Sequence, residues 1–307
     1  MIVSLAGGVG AAKFLEGLIR VVPQRELTVI GNVADDMEIY GLHVSPDLDI
    51  VAYTLAGIVD KDRGWGIRDD TFWFLSALRR YGYETWFNVG DRDLATHTFR
   101  TEQLRKGRSL SEVTATIVNR LGLQINLIPA TNDEFQTYVT THGNQIHFQE
   151  YMVKLRTKPR VQRITFRGAR SAKPADGVIR SIRQAQGVII CPSNPIVSIG
   201  AILNVPRIRN ALKNTPSKIV AVSPIVRGKT IKGPAAKLMK ALRVEPTAVG
   251  VAETYRDFLD TLILDRQDKH LAKKVENLGI KAIVTNTIMA SLGDKIRLAR
   301  TVMGEFS

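Results

Sequence analysis

The segment Gly7-Gly8-Val9-Gly10-Ala11-Ala12-Lys13 has the residue types of an anion-binding turn. A short apolar run, Ile2 to Ala6, stops at the glycines, and apolar residues then recur every three to four positions at Phe14, Leu15, Leu18 and Ile19. The pattern predicts strand, tight turn and helix, which points backbone N–H groups and the positive end of a helix dipole at one place. Phosphate suits such a place. Two familiar phosphate loops do not match the letters. The P-loop needs a Gly-Lys-Ser/Thr ending that is absent here, and the dinucleotide fingerprint needs a third glycine where this chain has Lys13. An ammonium one helical turn past the glycines can still reach back to a phosphate held by the backbone. The alternative is a plain strand-to-helix turn with Lys13 in solvent.

Carboxylates gather in the stretch that follows the next apolar run: Asp35, Asp36 and Glu38, then Asp47 and Asp49 in Ser45-Pro-Asp-Leu-Asp. Several carboxylates beside a phosphate-holding turn suit a hard cation such as Mg²⁺, which takes oxygen ligands and shares substrate phosphates. The competing reading has Asp47 capping a helix that begins near Leu48, with one of Asp35 and Asp36 merely solvated. A second dense stretch is Asn88-Val-Gly90-Asp91-Arg92-Asp93, running on to Thr96 and His97. It reads as a binding loop or, alternatively, as a helix cap with surface ion pairs. In Cys191-Pro-Ser193-Asn194-Pro195, two prolines bracket a hydroxyl and an amide at the end of an apolar strand. Ser223-Pro-Ile-Val-Arg227-Gly-Lys229 and Lys232-Gly-Pro offer basic residues at another strand end.

Other chemistries lack agents. The five histidines include no metal-type pair one helical turn apart, and His142 and His147, which flank a predicted turn, are expected to be structural. No G-x-S-x-G elbow occurs, and the single cysteine, Cys191, sits before a proline on an apolar strand, which predicts burial and excludes internal disulfides or a thiolate zinc site. Positioning and electrostatics around phosphates remain, as in phosphoryl-type transfer.

The elements that must hold these residues alternate. Strands are predicted at Leu27–Gly31, Leu123–Ile128, Gly187–Cys191, Lys218–Val222, Thr261–Leu264 and Lys281–Val284, with helical stretches between most of them. Ser109-Leu-Ser-Glu112 is a capping box for a helix to about Leu121, and the alternation in 135–139 and 145–148 predicts a hairpin. At 307 residues the chain predicts an α/β fold with a Rossmann-like, mostly parallel sheet flanked by helices and a largely helical inserted region. The core is assigned to 1–68 and 171–307 and the insert to 69–170, with a hinge in the basic stretch Thr157–Pro174. A charged content of 23% with no long apolar run predicts a soluble protein with no membrane association, and no secretory leader is visible, so a cytoplasmic location is expected. The net charge of +14 is dispersed and lacks a nucleic-acid motif, so it predicts attraction for small polyanions rather than specific nucleic-acid binding.

Taken in order, GGVGAAKFLEGL, NVADDMEIYGLHVSPDLDIVAYTLAG, WGIRDDTFWFLSAL, GDRDLATHTFRTEQLRKG, IHFQEYMV, CPSNPIVSIGAIL, SPIVRGKTIKGPAAKLM and GVAETYRDFLDTLILD resemble the 2-phospho-L-lactate transferase family of deazaflavin coenzyme F-420 biosynthesis. The resemblance spans nearly the whole chain. It implies transfer of a phospholactyl or phosphoenolpyruvyl group from a guanosine diphosphate-activated three-carbon acid to the terminal ribityl hydroxyl of the deazaflavin FO, with GMP leaving. It places the donor's diphosphate against Gly8, Gly10, Lys13 and Ser193-Asn194-Pro195. It puts Mg²⁺ at Asp35 and Asp49 as the catalytic carboxylates, and FO at Asp49 and Asn88, with Asp91 and Arg92 as further binding candidates and the insert contributing to the deazaflavin site. A homodimer is expected. A related branch of non-enzymatic UDP-sugar-binding regulators shares the glycine turn and Val33-Ala-Asp-Asp36, but the residues from Met37 to Asp49 follow the transferase pattern. A nicotinamide-dependent oxidoreductase is a third reading, disfavoured by Lys13 in place of the third glycine.

Overall fold

The computed structural model describes residues 1–230 and 233–306. Seven strands form one parallel sheet: β1 (Ile2–Ala6), β2 (Leu27–Gly31), β3 (Asn126–Pro129), β4 (Gly187–Ile190), β5 (Lys218–Val222), β6 (Thr261–Asp265) and β7 (Lys281–Thr285). Their spatial order is β7-β6-β5-β4-β1-β2-β3. β1, β2 and β4 are buried at every position, because helices cover both faces of the sheet, which is why they read as continuous apolar runs. Alternate residues feed opposite faces: Val3 and Leu5 pack in one apolar cluster, Ile2 and Ala6 in the other. The order reverses between β1 and β4, so the carboxyl ends of these two strands open the crevice where doubly wound sheets bind ligands.

Five helices lead up to β3: α1 (Gly8–Leu18), α2 (Pro46–Leu55), α3 (Trp73–Arg80), α4 (Asp93–Arg105) and α5 (Leu110–Arg120). α5 starts at the expected capping box, in which the Ser109 and Glu112 side chains each accept or donate across the first turn. It ends with Gly122 at φ +76°, and the Leu123 amide donates to the Val118 carbonyl. That helix closure explains why the strand expected from Leu123 starts at Asn126.

The stretch 69–170 has its α-helices only in its first half, and the second half adds a single π-helical turn at Glu150–Lys154. β3 returns to the main sheet beside β2, and a separate antiparallel sheet follows in the order Asn144–His147, Gln136–Thr141, Arg163–Arg167. The predicted hairpin is present, turning at His142 (φ +49°) and Gly143 (φ +80°), the conformation that a two-residue hairpin turn requires. The expected hinge at 157–174 is tied down, since Arg163–Arg167 pairs with Gln136–Thr140 and Pro174 bridges Thr131. Among the described residues no helix is long and apolar enough to cross a membrane.

Candidate active site

The glycine turn lies at the switch point. Gly7 is extended, Gly8 takes φ +72°, and α1 begins at once, so the first-turn amides face the crevice without intrahelical partners. The Gly7 amide donates to Ser193 Oγ at 3.2 Å, and Gly8 faces the Asp47 carboxyl. Gly10 has a steric reason, because a Cβ there would overlap the Pro192 carbonyl oxygen. The structure therefore brings Gly8, Gly10 and the Ser193-Asn194-Pro195 loop together, across the β1 and β4 strand ends. Asn194 is partly engaged, its Oδ1 accepting the Ile196 amide at 3.0 Å and so shaping its own turn. Lys13 is exposed on α1, one turn beyond Gly10.

The acidic stretch closes the other side. Asn32 joins the strand ends: its Oδ1 accepts the Ala34 amide at 3.0 Å and its Nδ2 donates to Asp47 Oδ2 at 2.9 Å. Asp47 does not cap α2; it reaches back to Asn32 and Gly8 from the helix's first turn. Asp36 Oδ2 accepts the Ser45 hydroxyl at 2.6 Å and lies 3.2 Å from His43 Nε2.

Asp49 is held from α4. Both of its oxygens accept from the Arg100 guanidinium, which is only 1% exposed. Arg100 Nη1 also lies 3.2 Å from His97 Nδ1, which leaves the His97 Nε2–H facing Asp93 Oδ1 at 3.3 Å, where the Tyr53 hydroxyl donates at 2.7 Å. This chain of Asp49, Arg100, His97, Asp93 and Tyr53 fastens the helical insert to α2. Burial works against the Asp93 charge, but His97 and Tyr53 outweigh it and hold the Asp93 pKa below the usual carboxylate range.

Two expected binding residues have structural work. Asp91 accepts the Trp73 and Phe74 amides at 2.9 and 3.0 Å, so it caps α3, while Asp70 accepts the Arg92 and Asp93 amides at 2.7 and 3.1 Å and caps α4. Arg92 donates to the Arg68 carbonyl at 3.1 Å. Asn88 is exposed beside Phe87, whose carbonyl accepts the Tyr40 hydroxyl at 2.9 Å. In the Ser223 loop the hydroxyl closes its own turn, while Arg227 and Lys229 are exposed at a hairpin; Lys232 lies outside the described residues.

The profile of the 2-phospho-L-lactate transferase CofD family matches residues 2–299. The chain belongs to that family. It is a transferase, and the pathway it serves is coenzyme F-420 biosynthesis. Among its relatives, a phosphoenolpyruvate transferase from Kitasatospora aureofaciens is 42% identical and covers 98% of this chain and 96% of its own length. A 2-phospho-L-lactate transferase from Methanosarcina mazei is 38% identical over 98% of this chain and 99% of its own. A crystal structure of a member of the upf0052 family from Bacillus halodurans shares the fold, with a TM-score of 0.65 over 98% of each chain at 15% identity.

In this family member the charges of the carboxylate pocket are unbalanced. Burial, then the neighbouring Asp47 and Asp36, push the Asp35 pKa well above the usual carboxylate range, and burial also raises Asp36 against the pull of His43 and Ser45. Asp35 Oδ1 and Asp36 Oδ1 are buried and have no hydrogen-bond partner. Orphaned carboxylate oxygens fit a cation. Among the described residues no group of three or more His, Cys, Asp or Glu side chains is arranged to hold a metal ion. Magnesium would therefore draw its remaining oxygens from substrate and water, which is its habit. Asp35 fits that part; Asp49, with both oxygens on Arg100, stands here as the counter-ion of a buried guanidinium.

Burial raises the Asp47 carboxyl to about 7. The folded state thus keeps a proton that the unfolded chain, near the ordinary value of about 4, has already lost. Stability from this group is complete below about pH 4 and declines as pH rises through about 7. In chelator, Asp47→Asn is expected to remove that decline, so its melting temperature gains on the parent's between pH 5 and pH 8. Parallel curves for the two proteins would contradict the assignment.

Arg100, Tyr53 and Asn32 were not legible as site residues, and Asp93 and His97 stood out only as part of the dense stretch 88–97. Asp93, His97 and Arg100 do fall on one helical face at i, i+4 and i+7, and that polar stripe was the available signal.

Proposed function

We propose that this transferase moves a phosphoenolpyruvyl or phospholactyl group from a guanosine diphosphate-activated donor to the ribityl hydroxyl of FO. The hydroxyl oxygen bonds to the phosphorus next to the three-carbon acid, the bond from that phosphorus to the GMP oxygen breaks, and the hydroxyl proton is lost to a base. The observation that carries the reading is the pairing, at one switch point, of a glycine turn suited to a diphosphate with a buried carboxylate whose Oδ1 is unpartnered. The names of the relatives, divided between phosphoenolpyruvate and 2-phospho-L-lactate, support both donors.

The first-turn amides of α1 and Lys13 would receive the diphosphate, and the Asn88 side of the insert would receive FO. Asp35 would hold Mg²⁺, whose contribution when bound is to neutralise charge on the phosphates. The buried Asp49–Arg100 pair keeps the wall of the site in place, and its fixed charges do not have to reorganise as the phosphorus is attacked.

Purified protein with Mg²⁺, FO and each synthetic donor is expected to yield FO carrying one phosphodiester-linked three-carbon acid, with GMP released in equal amount. FO recovered unchanged from every donor, with tight binding of UDP-sugars, would decide for a regulator instead. Lys13→Ala is expected to weaken GDP binding in a calorimetric titration and to leave FO affinity at the parental value, because FO carries no phosphate. Parental GDP affinity and parental turnover in that variant would leave the anion to the backbone alone.

A further inference from the structure

The segment Ile146-His-Phe-Gln-Glu-Tyr151 has no part in the transfer described above, yet the antiparallel sheet carries it to the carboxylate pocket. Strand 136–141 is joined to the acidic loop: the Thr137 amide donates to the Ala34 carbonyl at 2.6 Å, and Gln136 Nε2 reaches the Asp36 carbonyl at 3.5 Å. His147 is the register partner of Tyr138 on the same sheet, their rings meeting edge to face at 5.5 Å. Its Nδ1 accepts the Gln149 amide at 3.2 Å, which places the proton of the neutral ring on Nε2. That Nε2 faces the Asp36 backbone without reaching hydrogen-bond geometry, and it is buried without a partner.

Thr137 repeats the pattern. Its residue is fully buried, its hydroxyl faces the Asp35 carboxyl, and Oγ1 also lacks a partner. Two donors and two carboxylate oxygens, all buried and unpaired, thus surround the Asp35-Asp36 loop. Unpaired buried polar atoms cost stability and are rare, so four at one loop mark a place completed by a ligand. The carboxylate oxygens call for a cation, and the imidazole N–H and the hydroxyl call for an anionic oxygen. A metal-bound phosphate supplies both at once.

We propose that His147 Nε2–H and the Thr137 hydroxyl donate to the non-bridging oxygens of the phosphorus that is transferred, making both of them substrate-contacting residues. The assignment rests on the transfer reading above, with GDP presenting the equivalent phosphorus as its β-phosphate. Negative charge on those oxygens shifts as the phosphorus is attacked, and removal of one such donor typically lowers kcat by about a hundredfold or more.

The test has two arms. In protein labelled with ¹⁵N-histidine, His147 is expected to show the Nε2–H tautomer, and its signals are expected to move on titration with GDP and Mg²⁺ in the absence of FO. In the transfer assay, His147→Phe is expected to lose about a hundredfold in kcat with little change in donor KM, and His147→Gln, whose amide can donate, is expected to recover part of the loss. Thr137→Val is expected to fall in the same direction. A Nδ1–H tautomer, signals indifferent to GDP, or parental kcat in both His147→Phe and Thr137→Val would overturn the assignment. Should the parent fail to transfer anything to FO, the transfer reading fails by itself, while the GDP titration still decides the role of His147.

Discussion

Asp35→Asn is expected to lose transfer by at least a hundredfold while its melting temperature stays at the parental value or rises. The native carboxyl is buried, pressed by Asp36 and Asp47, and has an unpartnered oxygen, so its charge destabilises the unliganded fold and an amide of the same shape relieves it. The same substitution removes the oxygen best placed for a cation, and with it charge stabilisation used chiefly in the transition state. Asp49→Ala is expected to behave in the opposite way on stability. It strands the Arg100 guanidinium at 1% exposure, and breaking a buried pair from one side costs about 3–5 kcal/mol. The pair Asp49→Ala with Arg100→Met is expected to regain much of that loss, since both charges then leave together. Thermal unfolding alongside FO turnover separates these cases. Parental turnover in Asp35→Asn, or parental stability in Asp49→Ala, would break the distinction between a cation-binding carboxylate and a structural counter-ion.

Gly10→Ala is expected to damage donor binding more than any other single methyl group added to the chain. The new Cβ would overlap the backbone carbonyl oxygen of Pro192, and backbone cannot turn aside as a side chain can. The α1 terminus and the Ser193 loop must separate, and these are the two elements that the diphosphate is proposed to bridge. A stability loss of about 1–3 kcal/mol is expected from overpacking, together with at least a tenfold loss in GDP affinity. Gly17 provides the control. A Cβ there would meet the Lys295 backbone on the C-terminal helix Leu292–Met303, so Gly17→Ala is expected to lower stability and to leave GDP affinity unchanged. Equal GDP affinity in the Gly10 and Gly17 variants would remove Gly10 from the binding site.

Much of the fold was legible in consecutive residues. The runs Ile2–Ala6 and Leu27–Gly31 end where the structure ends its strands, and the Ser109 capping box starts α5, because burial on both faces and helix capping leave their marks within a few positions of one another. The glycine turn was legible for the same reason, since the φ of Gly8 is a local demand that glycine meets without strain, whereas the close approach of Gly10 to Pro192 is a tertiary contact. The likeness of the ordered motifs to the 2-phospho-L-lactate transferases extended that reading to the family, which the profile over residues 2–299 bears out. What tertiary structure decided were the partners. Asp49 and Arg100 are 51 positions apart, Gly7 and Ser193 are 186 apart, and the Thr137 and His147 side chains come to the acidic loop on a sheet that the sequence presented only as a hairpin. A carboxylate's type shows that it can bind a cation, cap a helix or balance an arginine. Which of these it does depends on the charge and burial that the folded chain places around it, and so Asp35, Asp47, Asp49 and Asp91, alike in sequence, differ in the fold.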